Sequence, residues 1–521
     1  MKKNIILIVC TVFSLISCNS LLDIPQHGVL DENNFYQTDE DAASAVAAAY
    51  ADLGGSFSFY NLEFTFTTLN GYLGDEYWQG QNARSAALDA YLEYIFDAND
   101  AYIAAHYQNL YSIVGKCNLV VDKVKGDTPF QQQVIAEAKT IRAWMYFELT
   151  TLWGNPPLVD HVMSASEDAP TNADPAVLWK FMEDNLTEAI SSGALTEKAS
   201  QGDRSNYRIT KQYAQALLGK VYLWQGKNAE AAAVLDEVIE SKLYDLYRGE
   251  YGDMYGMENE NGPESMFESN RVYDKDNFIT SFVPSSTGLC GYTRPDMAEP
   301  NGYANPLHLF WNAWGGFVPR GTVYDAFVAE EGADGYRLNQ SIKTYDFMAA
   351  AGYPIDPSGV EYSEGFFQWK GRYLTDQFDM YAGSFPSVYR NVRWMRYAEV
   401  LLMAAEANIG VDQAKADKYL NEVRNRAKLP WKACDLDAIK TERRLELLGD
   451  FCRYKDLQRW GDAKTVLADN GALEPVLSIS GVEWKNFTQT YGYKEGKHET
   501  LPFPNAEILA NKNIHQHEAW K

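Results

Sequence analysis

Three patterns of apolar and polar positions follow one another along the chain. The first is a short unbroken apolar run, Ile5 to Ile16, behind Lys2 and Lys3. It is too short to cross a bilayer as a helix and has the layout of an export signal. The second pattern is helical. From Ala101 to Lys125, Ile103, Tyr107, Leu110, Tyr111, Val114, Leu119 and Val121 recur at helical spacing and predict one amphipathic helix. After Gly126-Asp127-Thr128-Pro129 a second helix starts at Phe130 and runs through AKTIRAWMYFELTTLWG. Gly154, Pro156 and Pro157 stop it, so the two helices form a hairpin.

The clearest unit is Ile209 to Leu246, ITKQYAQALLGKVYLWQGKNAEAAAVLDEVIESKLYDL. Ala216 and Gly219 leave room for a neighbouring helix, Gly226 breaks the chain, and Ala229 to Ile239 resumes as a second helix. This resembles a tetratricopeptide repeat. A degenerate echo, RYAEVLLMAAEANIGVDQAKADKYLNEVRNRAKLP, puts Ala404, Ala407, Ala416, Leu420 and Val423 at comparable positions, and Pro430 closes it. Units so unequal predict a scaffold, not a regular open solenoid. The third pattern, from about 249 to 383, is rich in glycine, proline, aromatic and acidic residues with few sustained helical periods. Its aromatic content argues for a packed or ligand-facing surface. The expected fold is mainly α: a tetratricopeptide-like scaffold of helix pairs with a large, irregular, loop-rich elaboration.

Composition narrows the function. The 521 residues are 46% hydrophobic and 14% aromatic, enough for a large core. The formal charge of −25, or −27 once Lys2 and Lys3 are removed with the signal, repels nucleic acid and anionic headgroups. A neutral ligand is expected. Of six cysteines, Cys10 lies in the signal, and Cys117, Cys290, Cys434 and Cys452 show no zinc spacing. Unpaired buried thiols are the favoured reading, with a Cys434–Cys452 disulfide as the alternative. Cys18 ends the apolar run in Leu15-Ile16-Ser17-Cys18. This resembles the bacterial lipobox, which makes Cys18 the first mature residue and the point of lipid attachment. An ordinary signal with an incidental cysteine is the alternative. Two or three acyl chains hold a protein on a membrane far more firmly than one.

The C-terminal motifs add a family. RWMRYAEVLLMAAEA, LNEVRNRAKLP, IKTERRLELLGDFCRYKDLQRWGDA and LPFPNAEILANKNIHQHEAW, in that order, resemble the signature series of the SusD/RagB family. LLDIP, NNFYQTDEDAASAVAAAYADL and WGNPPLV agree in the N-terminal half. Members are surface nutrient-binding lipoproteins of Bacteroidetes-type bacteria. The resemblance implies a signal peptide over 1–17, an N-terminal region over 18–248 and a C-terminal region over 249–521, loop-rich over 249–383 and helical over 384–521, in one integrated unit. It also implies lipid anchoring through acylated Cys18 at the outer-membrane surface and a SusC-like TonB-dependent transporter as partner. The run Leu448-Gly449-Asp450-Phe451-Cys452-Arg453 departs from the usual pattern, as does Leu501-Pro502-Phe503-Pro504. Within ERRLELLGDFCRYKDLQRWG, the spacings of Glu442, Arg443, Arg444, Glu446, Arg453, Asp456 and Arg459 permit i,i+3 and i,i+4 ion pairs, a structural role.

A sugar offers C–H groups to aromatic faces and hydroxyls at its edges, so a glycan site needs aromatic platforms beside Asn, Asp, Arg or Gln. Two stretches qualify. LNGYLGDEYWQGQNAR supplies Asn70, Tyr72, Asp75, Tyr77, Trp78 and Arg84, with Gln81 and Asn82 beside them. GYTRPDMAEPNGYANPLHLFWNAWGGFVPR supplies Tyr292, Tyr303, Trp311, Asn312 and Trp314. The family's ligand surface comes from these two broad regions, while its binding residues vary with the ligand. Each aromatic has a core role as its alternative. Paired carboxylates such as Asp75-Glu76 and Glu330-Glu331 admit a glycosidase, but 71 acidic residues make such pairs common. No GxSxG, HExxH or Walker motif occurs. Asp274 to Asn277 starts like a calcium loop without its later glycine and glutamate, and His515-Gln516-His517 reads as an exposed tail. No catalytic residue, metal or cofactor is expected. The function expected is capture of an oligosaccharide, with peptide capture or a surface-tethered glycan-degrading enzyme as alternatives.

Overall fold

The computed structural model describes residues 35–54, 58–80, 84–271, 309, 316–351, 361–372, 374, 378–381, 385–388 and 390–521. The lipobox with Cys18, Cys290 and the 274–277 stretch lie outside these, as do Gln81, Asn82, Tyr292, Tyr303, Trp311, Asn312 and Trp314.

The fold is mainly helical, and its helices start and stop where local chemistry directs. The Asp100 carboxylate accepts from the backbone N–H groups of Tyr102 and Ile103 and so opens the helix Ala101–Lys123. Thr128 caps the helix Pro129–Trp153, with Pro129 in the first turn, where a missing N–H costs nothing. Gly154, at φ +75°, ends it. Almost every side chain from Glu137 to Trp153 is buried, so this is the central helix.

Helices Pro175–Ser191, Lys211–Trp224 and Asn228–Glu240 pack on one another in turn. Helix Tyr397–Asn408 then docks on Asn228–Glu240 and pairs with Gln413–Arg426, so the repeat-like unit and its distant echo stack together. Gly219 permits the close approach expected of it, since a Cβ there would lie 2.5 Å from Leu235 Cγ. Most buried apolar residues from Ala42 to Ile514 form one continuous cluster, and Met348, Phe367 and Leu477 form a small second one.

The segment after 249 holds more regular structure than its composition suggests. Gly321–Glu331, Tyr336–Ser341 and Tyr345–Ala350 are helical. Strand Ser265–Ser269 pairs antiparallel with Val392–Arg396, and Ile342–Thr344 with Phe366–Gln368. Short turns of helix anchored by single buried residues such as Val323 and Phe327 are too brief to show a sustained period. Near the end of the chain, Trp153 Nε1 donates to the Pro502 carbonyl (3.0 Å), which ties the Leu501–Pro504 motif to the central helix. Cys117, Cys434 and Cys452 are free thiols.

The charged residues of the C-terminal motifs correct the local pairing expected of them. Arg459–Asp456 (2.9 Å) is an i,i+3 pair within the motif, and Arg443 reaches Asp456 (2.7 Å) on the next helix; most other partners lie on distant elements. Arg396 Nη1 meets Glu264 (2.5 Å) and Glu446 (3.0 Å), and its Nη2 meets Asp450 (2.6 Å). Arg426 bridges Glu264 (2.8 Å) and Glu446 (2.5 Å). Arg337, with no exposed surface, reaches Glu331 (2.7 Å) and Glu442 (2.5 Å). Lys370 donates to the Glu446 and Leu448 carbonyls and to Asp450. Burial pushes Glu446 up, but Arg426, Arg396 and Arg337 overcome it and hold the carboxyl at about 2. Asp450, from the run that departs from the family pattern, is likewise held well below its usual range by Arg396 and Lys370 against burial.

Candidate functional site

The first candidate stretch begins in the helix Leu62–Tyr72, opened by Asn61, whose side chain accepts from Phe64 N–H. A Cβ on Gly71 would lie 2.5 Å from Phe317 Cε1, and that close approach draws the neighbouring aromatics inward. Tyr72 stacks on Phe317, with centroids 4.6 Å apart and planes at 13°. Its hydroxyl donates to the Gly316 carbonyl. Tyr77 meets Phe317 edge-on and tilts toward Phe451. Asn70 Nδ2 donates to the Phe66 carbonyl, 2.9 Å away, within its own helix. Asn70, Tyr72 and Tyr77 are thus buried, and this corrects the expectation of exposed platforms for them. Aromatic rings close in sequence to glycine pack just as readily inward.

Asp75 is clamped by Arg453 Nε (2.7 Å) and Arg444 Nη2 (2.9 Å). Burial raises its pKa, but the two guanidiniums outweigh it and hold it at about 2. Its neighbour Glu76 is pushed up to about 8 by burial and then by the Asp75 carboxylate. Asp75 therefore joins the N-terminal stretch to the motif helices, and both its oxygens already have partners.

Trp78 is also enclosed. Its strand, Tyr77–Trp78, pairs with Val318–Pro319, and its Nε1 donates to Glu364 Oε1 (2.8 Å), which also receives Gly321 N–H. The Arg320 guanidinium lies 4.0 Å from the Trp78 ring centre. Burial lowers the Arg320 pKa to about 10 against the pull of Asp75 and Glu364. The other neighbour of Trp78 is Trp484, with centroids 6.1 Å apart.

Trp484 was not among the residues expected from the sequence. It sits on Gly481–Asn486, which pairs antiparallel with Leu473–Ser478 as an isolated hairpin closed by Ile479 and Ser480. Every residue of Gly481–Asn486 is exposed, and Trp484 shows 49% of its surface. The legible signal was the alternation of Val482 and Trp484 with Glu483 and Lys485 behind a glycine turn. Arg84, which the sequence did single out, lies beside this hairpin. Its Nη2 meets Glu474 (2.8 Å), its Nε meets Asp89 (3.0 Å), and its guanidinium lies 3.7 Å from the Tyr362 ring centre. Arg84 and Tyr362 are half-buried. Leu477 N–H donates to the Glu361 carbonyl (2.8 Å), which fastens the hairpin to the Tyr362 segment.

An open cleft of about 310 Å³ lies elsewhere, beside the end of the helix Asp39–Gly54, lined by Tyr50, Tyr207, Arg208, Phe267 and Asn270 among others. Its polar groups are largely committed: Arg208 to Glu137, and the Tyr50 hydroxyl to Glu137 and Ile209 N–H. His517 stacks on Phe503 and bonds the Trp153 carbonyl, so it is a packing residue and not a free tail. No cluster of metal-ligating side chains occurs among the described residues.

Comparison with known proteins fits this architecture. A model described as SusD family matches residues 314–520, and one described as "Starch-binding associating with outer membrane" matches 43–223. SusD-like protein P2 of Formosa agariphila is 26% identical, over 99% of both chains. A SusD-like protein of Bacteroides ovatus is 24% identical over 88% of this chain and 83% of its own. A laminarin-binding SusD-like protein superposes with a TM-score of 0.73 at 25% identity, covering 92% of this chain and 99% of that one. Surface glycan-binding protein A from Bacteroides thetaiotaomicron, solved in complex with laminarihexaose, gives 0.73 at 24% identity, covering 92% and 100%. With two models of one family matching successive parts of the chain, and relatives aligned over nearly its whole length, this protein belongs to the SusD/RagB family.

Proposed function

We propose that this protein is a cell-surface lipoprotein that captures an oligosaccharide and passes it to a SusC-like TonB-dependent transporter in the outer membrane. Acylated Cys18 holds it to the outer-membrane lipid. The observation that carries the reading is the half-exposed Trp484 on a hairpin joined to the partly buried Arg84–Tyr362 pair, on a chain whose relatives include laminarin-binding and glycan-binding proteins. Rings with free surface beside a guanidinium suit a ligand with apolar C–H faces and hydroxyl edges. The net charge of −25 favours a neutral ligand. Tyr292, Tyr303, Trp311, Asn312 and Trp314 belong to the same proposal, as loop residues contributed to the ligand surface. No chemistry is required, and Asp75, the most suggestive carboxylate, is engaged by two arginines.

The test uses the soluble form lacking residues 1–18, titrated calorimetrically against laminarin, starch, xylan and mannan, with a mixed peptide pool beside them. Saturable binding to at least one polysaccharide, without release of reducing ends, is the expected outcome. Binding to peptides and to none of the glycans overturns the proposal. Release of reducing ends converts it to an enzyme.

A further inference from the structure

We infer that Trp484, on the hairpin Leu473–Asn486, is a ligand-stacking platform, and that Trp78 is the brace that holds it in place. This deepens the glycan-binding reading and rests on it. The two tryptophans divide the labour by environment. Trp78 is 6% exposed, with Arg320 over its ring and its Nε1 committed to Glu364. It has no face left for a sugar. Trp484 is 49% exposed on a strand that is open to solvent along its whole length, and its described ring contact is Trp78. A tryptophan half out of water on an isolated two-stranded hairpin contributes little to that hairpin's own stability.

The surroundings select the chemistry of the occupant. Asn486, exposed two residues along the strand, shares the face of Trp484 and offers both a donor and an acceptor beside the ring, while Glu483 and Lys485 point to the other face. Arg84 and the Tyr362 segment attach to the other strand of the hairpin, through Glu474 and the Leu477 N–H. An apolar ring edged by an amide suits a pyranose ring better than an apolar protein surface. The hairpin is also anchored: Leu477, on the same face as Trp484, packs with Met348 and Phe367. The platform is therefore preorganised, and a sugar that stacks on it incurs little ordering cost in the protein.

The experiment compares wild type, Trp484→Ala and Trp484→Phe in the soluble form, each titrated with laminarihexaose and with whichever of laminarin, starch, xylan and mannan the wild type retains. Trp484→Ala is expected to weaken binding about tenfold, with a melting temperature within about 2 °C of wild type. Trp484→Phe is expected to stay within about threefold, because a smaller ring keeps a stacking face. Oxidation of wild type with N-bromosuccinimide, mapped by mass spectrometry, should modify Trp484 readily and spare it at saturating glycan. Unchanged affinity in Trp484→Ala, or no protection of Trp484 by bound glycan, overturns the platform while leaving glycan capture standing. A wild type that binds no glycan overturns both. A large drop in melting temperature in Trp484→Ala would make Trp484 a packing residue and also overturns it.

Discussion

Arginine serves two regions of this molecule in opposite ways. At the junction of the C-terminal motifs, Arg337, Arg396 and Arg426 have side chains at most 4% exposed, and each engages more than one carboxylate. Beside the hairpin, Arg84 is 21% exposed, with its guanidinium 3.7 Å from the Tyr362 ring centre. The junction joins residues from Glu264 to Asp450 and leaves no charge there for a ligand. The patch keeps aromatic surface and polar edge in contact with water. Buried charge pairs of this kind specify which elements meet; half-exposed rings beside a guanidinium are surface held in reserve for a partner.

The sharpest way to break this contrast is Arg396→Met. It strands Glu264, Glu446 and Asp450 with one cation fewer inside the protein. A loss of about 3–5 kcal/mol in urea denaturation is expected, whereas Trp484→Ala should cost less than about 1 kcal/mol. The junction also has a signed pH dependence. Glu446 is held at about 2, below its ordinary value, so its contribution is complete above the normal carboxylate range and is lost as pH falls toward 2. In Arg396→Met this acid-side loss should be smaller and should level off at higher pH, because the folded-state value moves back toward the ordinary one. Equal stability of Arg396→Met and wild type would remove the junction from the list of features that hold the fold.

The junction also shows how far the sequence could be read. The helices Ala101–Lys123 and Pro129–Trp153, and the pair around Gly226, are local: apolar spacing, caps and a glycine break lie within a few residues of one another. The acidic and basic residues of the ERR segment were equally visible, but their partners were not, because Arg337 meets Glu442 across 105 residues and no spacing along one helix encodes that. The same limit applies to the candidate site. Asp75, Tyr72, Tyr77 and Trp78 were identifiable as a cluster, yet their burial is decided by Phe317, Arg320, Glu364, Arg444 and Arg453, all far along the chain. Trp484 was legible only as a short alternating strand, a signal much weaker than a helix of 20 residues.

A smaller effect is expected at Asp75-Glu76, beside the Arg444–Arg453 clamp. Glu76 is raised from 4.5 to about 8, mainly by burial and then by Asp75. Between those values the folded protein holds a proton that the unfolded chain has released, so stability falls as pH rises through that window. Glu76→Gln removes this slope. Relative to wild type it should gain stability progressively between pH 4.5 and 8, on the order of a few kcal/mol, and nothing below pH 4, measured by denaturation across the pH range. Parallel stability curves for the two proteins would show that Glu76 ionises in the folded state as it does in the unfolded one.

The smallest effect belongs to Ile479 at the tip of the hairpin. It is 95% exposed, so Ile479→Ser removes almost no buried area, and it occupies a turn position between Ser478 and Gly481 that serine can fill. Stability should change by less than about 0.5 kcal/mol. Glycan affinity should stay within about twofold, because the tip has no ring to stack and lies beyond Val482 from Trp484 along the strand. That outcome, set against a tenfold loss in Trp484→Ala, would confine the platform to the Trp484 end of the strand. An equal loss in Ile479→Ser would extend the ligand surface to the tip, and the hairpin would then act along its whole length as one wall of the site.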